Sequence, residues 1–246
     1  MKIFICANNY TDKQNEESLK CVEVLRKLGH ECSVLERSNT QNKKALNECE
    51  LIVSLGGDGA LLSAAKIALE ADKPLMGINS GRLGYLCAMK IEEIEEFDSI
   101  FKQTLLEERS ILETEYDDEK YYALNDVIVS KVSFGQTADL KVFVNSSSIM
   151  NFRGDGVIVS TPTGSTAYNK SAGGPVLYSR EKLFIITPIC SHDSNVYPHV
   201  VDDDKCFRIS INHGEADVHV DGVKIKTITD EINIRKSDKK LKLYIR

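Results

Sequence analysis

Leu51-Ile52-Val53-Ser54-Leu55-Gly56-Gly57-Asp58-Gly59-Ala60-Leu61-Leu62 reads, in order, as an apolar strand, a glycine turn and the start of a helix. The strand reading rests on a brief Val/Ile/Leu run bounded by glycines. The helix reading rests on Ala60 to Leu69, a run of good helix formers. A turn with almost no side chains leaves its backbone N–H groups open to an anion, and a helix N-terminus behind it adds partial positive charge. Asp58 is the informative oddity, because a bare carboxylate repels a phosphate. It fits there if it works through a metal ion, takes a proton from an attacking hydroxyl, or both. Each of these points to phosphoryl transfer. A tight strand-to-helix turn with a capping Asp is the plainer alternative.

Outward from this stretch, strands and helices alternate. Lys2 to Ala7 reads as a strand. Glu16 to Leu28 has apolar residues at helical spacing and stops at Gly29. Glu31 to Leu35 is a second strand, Asn42 to Cys49 a short helix, and Pro74 to Asn79 a fourth strand. That fourth strand ends in Ser80-Gly81-Arg82-Leu83-Gly84-Tyr85-Leu86, a second glycine-punctuated loop. Alternation of this kind predicts a parallel sheet with helices on its faces, and ligands beyond the carboxyl ends of its strands. Both glycine loops would then face one crevice. Ile91 to Phe101 predicts a charged amphipathic helix whose glutamates face solvent.

From Glu108 the texture turns β-rich. Short runs cover 111–116, 121–129, 140–144, 157–160, 182–186, 207–211, 217–220, 223–227 and 231–235, with hairpin turns at Asp117-Asp118-Glu119-Lys120 and Asp221-Gly222. The expected fold is therefore α/β plus all-β: a Rossmann-like parallel-sheet domain over 1–100, then a β-sandwich domain over 101–235. The tail 236–246 alternates like a strand and is a candidate to return to the first domain.

The 246 residues suit two modest domains, and 42% hydrophobic with 28% charged residues is ordinary for a globular chain. A net charge of -6 without a basic stripe argues against a nucleic-acid partner. Seven scattered cysteines, with no C-x-x-C pair, fit reduced thiols in a cytoplasmic protein better than disulfides or zinc. No signal peptide is evident, and no apolar run approaches the roughly 20 residues of a membrane span. Asn9-Tyr10-Thr11 and Asn145-Ser146-Ser147 match the glycosylation pattern but carry little weight without secretion. His30 reads as a surface turn, His192 and His199 as loop residues flanking Pro198, and His213 and His219 as structural.

A second cluster is more specific. It runs from Asn151-Phe152-Arg153-Gly154-Asp155-Gly156 through Ser160-Thr161-Pro162-Thr163-Gly164-Ser165-Thr166-Ala167-Tyr168 to Ser171 and Gly173-Gly174-Pro175. Its five Ser/Thr side chains between Ser160 and Thr166 are expected to offer donors and acceptors to a purine edge and ribose hydroxyls. Asp155, between glycines, offers a carboxylate suited to a sugar diol. Tyr168 can stack or donate. A polar turn region without a ligand is the alternative.

These motifs together resemble the NAD kinases. The resemblance rests on Gly56-Gly57-Asp58-Gly59, on Leu124-Asn125-Asp126, on the 153–175 cluster, and on Gly77-Ile78-Asn79 with the second glycine loop. The first motif is shared with lipid kinases; the long third one is far more specific. The resemblance implies transfer of the γ-phosphoryl of ATP to the 2′-hydroxyl of the adenosine ribose of NAD. It implies Asp58 as proton acceptor, with Gly57 and Gly59 lining the nucleotide and Asn125 and Asp126 contacting the dinucleotide. Arg153 and Asp155 would flank the ribose and phosphates, in the same chain or from a neighbouring subunit. Thr163, Thr166, Ala167, Tyr168 and Ser171 would form the nucleotide-binding loop. It further implies Mg²⁺ carried mainly by the nucleotide, no dedicated protein metal cage, and a homodimer or homotetramer. Two departures stand out: the family usually has Glu where this chain has Asp126, and many members carry a basic residue where this chain has Ser63. No G-x-x-x-x-G-K-S/T pattern is present, so the P-loop mechanism is not expected. A lipid kinase, or a non-catalytic NAD(P)-binding sensor, would share parts of this pattern.

Overall fold

The computed structural model describes residues 1–7, 12–35, 41–81 and 84–246. Asn9-Tyr10-Thr11, and Arg82 and Leu83 of the second glycine loop, lie outside the described residues. The chain divides into two compact units, Met1–Glu108 with Leu241–Arg246, and Arg109–Lys240.

The first unit runs β1 (Lys2–Ala7), α1 (Asp12–Lys27), β2 (Glu31–Val34), α2 (Gln41–Glu48), β3 (Leu51–Leu55), α3 (Asp58–Ala71), β4 (Leu75–Asn79), β5 (Cys87–Lys90), a 3₁₀ segment (Ile91–Glu96) and α4 (Phe97–Gln103). Strands pair in parallel in the order β2-β1-β3-β4, with β5 parallel to β4. Every residue of β3 and β4 is buried, as expected for parallel strands covered on both faces. Gly29, at φ +88, ends the turn after α1, where its N–H and that of His30 bond to Arg26 O and Leu25 O.

Two readings need correction here. Ile91 to Phe101 is not one α-helix, because Ile91–Glu96 is 3₁₀ and α-helix begins at Phe97. The buried residues Ile91, Ile94, Phe97 and Ile100 recur every three positions, which a three-residue turn aligns and a 3.6-residue turn does not. His30 is not a surface residue. Its side chain is 7% exposed, Nε2 lies 3.1 Å from Asp98, and the ring meets Phe97 edge-on.

The second unit holds most of β6 (Leu105–Tyr116), then β7 (Glu119–Ala123), β8 (Asp126–Lys131), β9 (Ala138–Val144), β10 (Ser147–Gly154), β11 (Gly156–Ser160), a 3₁₀ turn (Gly164–Thr166), α5 (Tyr168–Ser171), β12 (Leu183–Ile189), β13 (His199–Asp202), β14 (Phe207–His213), β15 (Ala216–Val220), β16 (Val223–Ile228) and most of β17 (Glu231–Ile245). One sheet is ordered β13-β12-β11-β8-β15-β16 and the other contains β10-β9-β14-β17, with β6 on β17 and β7 on β6. Val127, Val129, Val157, Val159, Phe184 and Ile186 of the first sheet pack with Leu140, Val142, Phe207, Ile209, Ile232 and Ile234 of the second. This is the expected sandwich, with alternate residues of each strand turned into one core. The first sheet is also apolar outside, where Ile128, Ile158 and Ile189 meet Ala172.

The run 121–129, read as one strand, is broken at Leu124-Asn125: β7 joins one sheet and β8 the other. The tail is not a separate strand either. It is the last part of the 15-residue β17, whose start pairs with β14 and whose Leu243 and Tyr244 pair in parallel with Leu75 and Met76 of β4. Strands β5, β10 and β13 were not legible: Cys87-Ala88-Met89-Lys90 lacks β-branched residues, and His199–Asp202 is only four residues long. Among the described residues no helix is long and apolar enough to cross a membrane. All seven cysteines are free thiols, and Cys6, Cys21, Cys32 and Cys49 are buried.

Candidate active site

The glycine turn of the first unit is built by close approach. Gly56 has φ +134, and a Cβ there would lie 2.8 Å from the Ala60 Cβ, so only glycine fits. Its amide bonds to Ile78 O at 3.0 Å, which ties the turn to β4 and takes that amide out of the expected phosphate cradle. Ala60 N and Leu61 N both bond to Gly57 O. That leaves the Asp58 and Gly59 amides at the head of the 14-residue α3, with no helix carbonyl behind them. Gly57 and Gly59 are exposed and Asp58 is half-buried. The Ser63 hydroxyl turns back to Gly59 O at 3.3 Å.

Asp58 also joins the two glycine loops. Its Oδ2 accepts from Tyr85 N at 3.1 Å and its Oδ1 from Leu86 N at 3.3 Å. A Cβ on Gly84 would fall 2.2 Å from Oδ1, so the second loop needs glycine in order to pass this carboxylate. The carboxylate is thus held by two amides of one loop at the head of the helix that starts the other.

The second unit carries Asn125 and Asp126 at the break between β7 and β8. The amides of Leu124, Asn125 and Asp126 all donate to the Asp221 carboxylate, at 2.9, 2.8 and 3.2 Å. On the other side, Thr161 N donates to Asn125 O at 2.9 Å and Thr161 Oγ1 donates to Leu124 O. Asp126 is 4% exposed. Burial, followed by the nearby Asp221 charge, pushes its pKa up from 3.8 to about 7.

The sign of this shift gives a stability prediction. A carboxyl protonated more readily when folded contributes fully below pH 3.8 and loses that contribution as pH rises to about 7. Asp126→Asn should therefore stabilise the chain relative to wild type by about 2–3 kcal/mol more at pH 8 than at pH 5. Urea unfolding of both proteins at the two pH values checks it; an equal difference at both refutes the buried charge.

The hydroxyls of the 160–166 loop do not point outward as expected. Ser160 donates to Asn125 O and Thr161 O, Thr161 to Leu124 O, Ser165 to Pro162 O, and Thr166 to Thr163 O. Thr163 is buried too. A loop this tight leaves its own carbonyls without ladder partners, and the nearest hydroxyls satisfy them. Asn169, fully buried, completes this frame. Its Nδ2 donates to Ser165 O and Pro175 O, and its Oδ1 accepts from Thr187 at 2.6 Å. Sequence reading passed over Asn169, because a lone Asn in a polar run shows no burial.

Asp155 and Tyr168 do come together. They line a cavity of about 380 Å³ with Ile128, Lys131, Ile189 and His219, over the apolar outer face of the sheet. Lys131 Nζ lies 2.7 Å from Asp155 Oδ1. Burial raises the Tyr168 phenol and lowers the His219 imidazole from their ordinary values. Ala167 and the exposed Ser171 flank Tyr168 on the same short turn. Arg153 does not join this cavity. It lies on β10 with its Nε 2.9 Å from Asp139. Lys131 and His219 are cavity residues that the motifs did not single out. Among the described residues no three His, Cys, Asp or Glu side chains gather as a metal would require.

Comparison with known proteins places both units. A family model described as the ATP-NAD kinase N-terminal domain matches residues 3–107, and one for the ATP-NAD kinase C-terminal domain matches 124–245. The chain is 36% identical over 214 residues to the NAD kinase of Sulfurimonas denitrificans, covering 84% of this chain and 75% of that one. It is 34% identical to the NAD kinase of Lachnoclostridium phytofermentans, covering 98% and 93%. Among solved structures, an Archaeoglobus fulgidus NAD kinase in complex with ATP superposes with a TM-score of 0.79 at 26% identity, covering 98% of this chain and 91% of that one. Yeast NADH kinase complexed with NADH shares the fold, with a TM-score of 0.85 at 21% identity over 99% and 83%.

Proposed function

The chain belongs to the NAD kinase family, and from that premise we propose that Asp58 accepts the proton of the NAD 2′-hydroxyl as it attacks the γ-phosphorus of ATP. The O2′–P bond forms, the bond from the γ-phosphorus to the β,γ-bridging oxygen breaks, and NADP and ADP result. The observation that carries this reading is the setting of Asp58. It is a half-buried carboxylate between two exposed glycines, fixed by Tyr85 N and Leu86 N, at the head of α3, where the first amides have no helix carbonyl behind them. A ribose hydroxyl is a weak nucleophile, and a positioned base removes its proton as the bond forms. The Asp58 and Gly59 amides, with the helix dipole, suit the oxygens of a transferring phosphate.

Asn125 and Asp126, set rigidly at their strand break, are the groups for the adenosine. Asp155 and Tyr168 offer a carboxylate and a ring in one cavity large enough for part of a dinucleotide. Thr163, Thr166, Ala167 and Ser171 belong to the loop that shapes this surface, and the inward hydroxyls give it rigidity. Arg153, lying outside that cavity on Asp139, supports the reading that it serves a neighbouring copy in a homodimer or homotetramer. Mg²⁺ is best suited to ride on the ATP phosphates, where it would neutralise charge. The free thiols support a cytoplasmic setting.

The test is NADP formation by the purified chain with NAD, ATP and Mg²⁺, read through an NADP-specific dehydrogenase. Turnover that requires both substrates is expected. A chain that binds NAD tightly by calorimetry yet forms no NADP refutes the catalytic reading.

A further inference from the structure

We propose that Asp221 is a positioning residue for dinucleotide recognition, holding Asn125 and Asp126 in place from a hairpin turn 95 to 97 positions away. The inference rests on the reading above that these two residues contact NAD. Asp221 and Gly222 form the two-residue turn between β15 and β16, with φ +48 and +78. Both left-handed residues mark a type I′ turn, for which Asn-Gly or Gly-Gly would serve the hairpin as well. The turn explains the conformation of Asp221, but not its carboxylate.

The carboxylate is explained by what it meets. Leu124-Asn125 is where the chain leaves one sheet for the other, so its amides have no ladder partner. Oδ2 accepts from Leu124 N, and Oδ1 from both Asn125 N and Asp126 N. Asp221 N returns a bond to Asp126 O at 3.0 Å. β15 brings the turn there, because Val220 pairs with Val127 at the start of β8. With Thr161 holding the Leu124 and Asn125 carbonyls from the other side, the segment is fixed on both edges. Placing a second carboxylate beside the buried Asp126 makes Asp126 harder to ionise. A turn residue kept for the hairpin alone would gain nothing to offset this.

Asp221→Asn isolates the role. Asn adopts the left-handed conformation as readily as Asp, so the hairpin survives. One acceptor oxygen is lost, however, and an NH₂ now faces a backbone N–H. The KM for NAD should rise roughly ten-fold or more, the loss of charge-assisted bonds that orient the site. The KM for ATP should stay within about two-fold, since the turn of the first unit is untouched. A purely structural role would move both KM values together with the thermal midpoint, and that result overturns the proposal, as does an unchanged KM for NAD. Should Asp221→Asn fail to fold, Asp221→Gly keeps the type I′ turn and removes the carboxylate. It must raise the KM for NAD selectively, and an unaltered value overturns the proposal. A wild-type chain that makes no NADP fails the functional reading instead. Asp221 is then judged by NAD calorimetry, where equal affinity of Asp221→Asn and wild type overturns it.

Discussion

Asp58→Asn is expected to bind NAD as wild type does and to lose turnover by about 10²–10⁴-fold. The substitution keeps the size of the side chain, removes its basicity, and leaves one of the two loop amides facing an NH₂. The Asn side chain keeps one oxygen for either Tyr85 N or Leu86 N, which hold the carboxylate at 3.1 and 3.3 Å. Asn has the size of Asp, so Gly84 can still pass it. What disappears is the capacity to take a proton. The turn amides and the helix end remain, so the phosphate oxygens keep their partners and some acceleration over solution should survive. Single-turnover NADP formation with calorimetric NAD binding reads the two effects separately. Turnover within about three-fold of wild type removes Asp58 from general-base duty, since a base of this kind supplies far more.

How much of this was readable beforehand depends on how far apart in sequence the contacts lie. β3, its glycine turn and α3 were legible because each is local: a fully buried run, a turn whose Gly56 admits no side chain, and a helix of Ala and Leu. The sandwich was legible from short alternating runs, since alternation is what a two-sheet core demands. The break at Leu124-Asn125 was not, because nothing local stops a strand there; the chain turns because β7 and β8 pair with different partners. Asp221 looked like turn chemistry alone, as its three amide partners lie nearly a hundred positions away. The loop hydroxyls were assigned to the ligand because composition shows what a side chain can bond to, and burial decides what it does bond to. The parallel pairing of Leu243 and Tyr244 with β4 follows the same rule: an alternating tail suits either sheet. Motif residues were therefore visible as local patterns, of which Asp155 and Tyr168 meet in one cavity and Arg153 stands apart, while the residues that hold them were not visible.

Gly164→Ala should damage both folding and NAD recognition. Gly164 is not there for backbone freedom; the site needs the missing Cβ. A methyl group at that point would lie 2.1 Å from Asn125 O, 2.5 Å from its carbonyl carbon and 2.7 Å from its Cα. All three atoms are backbone, and that backbone is already held by Asp221 on one edge and Thr161 on the other. No rotamer relieves the clash, so either the 3₁₀ turn or the Asn125 segment must move. Overpacking of this sort costs about 1–3 kcal/mol, read as a lowered urea midpoint. A displacement of about 1 Å at a substrate-positioning residue costs on the order of 10²-fold in kcat/KM for NAD. Gly214→Ala is the matched control. That glycine has φ +82 and open space around its would-be Cβ, so alanine there strains the backbone and should lower stability by about 1 kcal/mol. It has no reason to touch NAD. If the two variants lose stability and retain the same kcat/KM for NAD, Gly164 is a folding residue only. If Gly164→Ala alone loses activity toward NAD, the close approach of the 160–166 loop to Asn125 is what shapes the dinucleotide site.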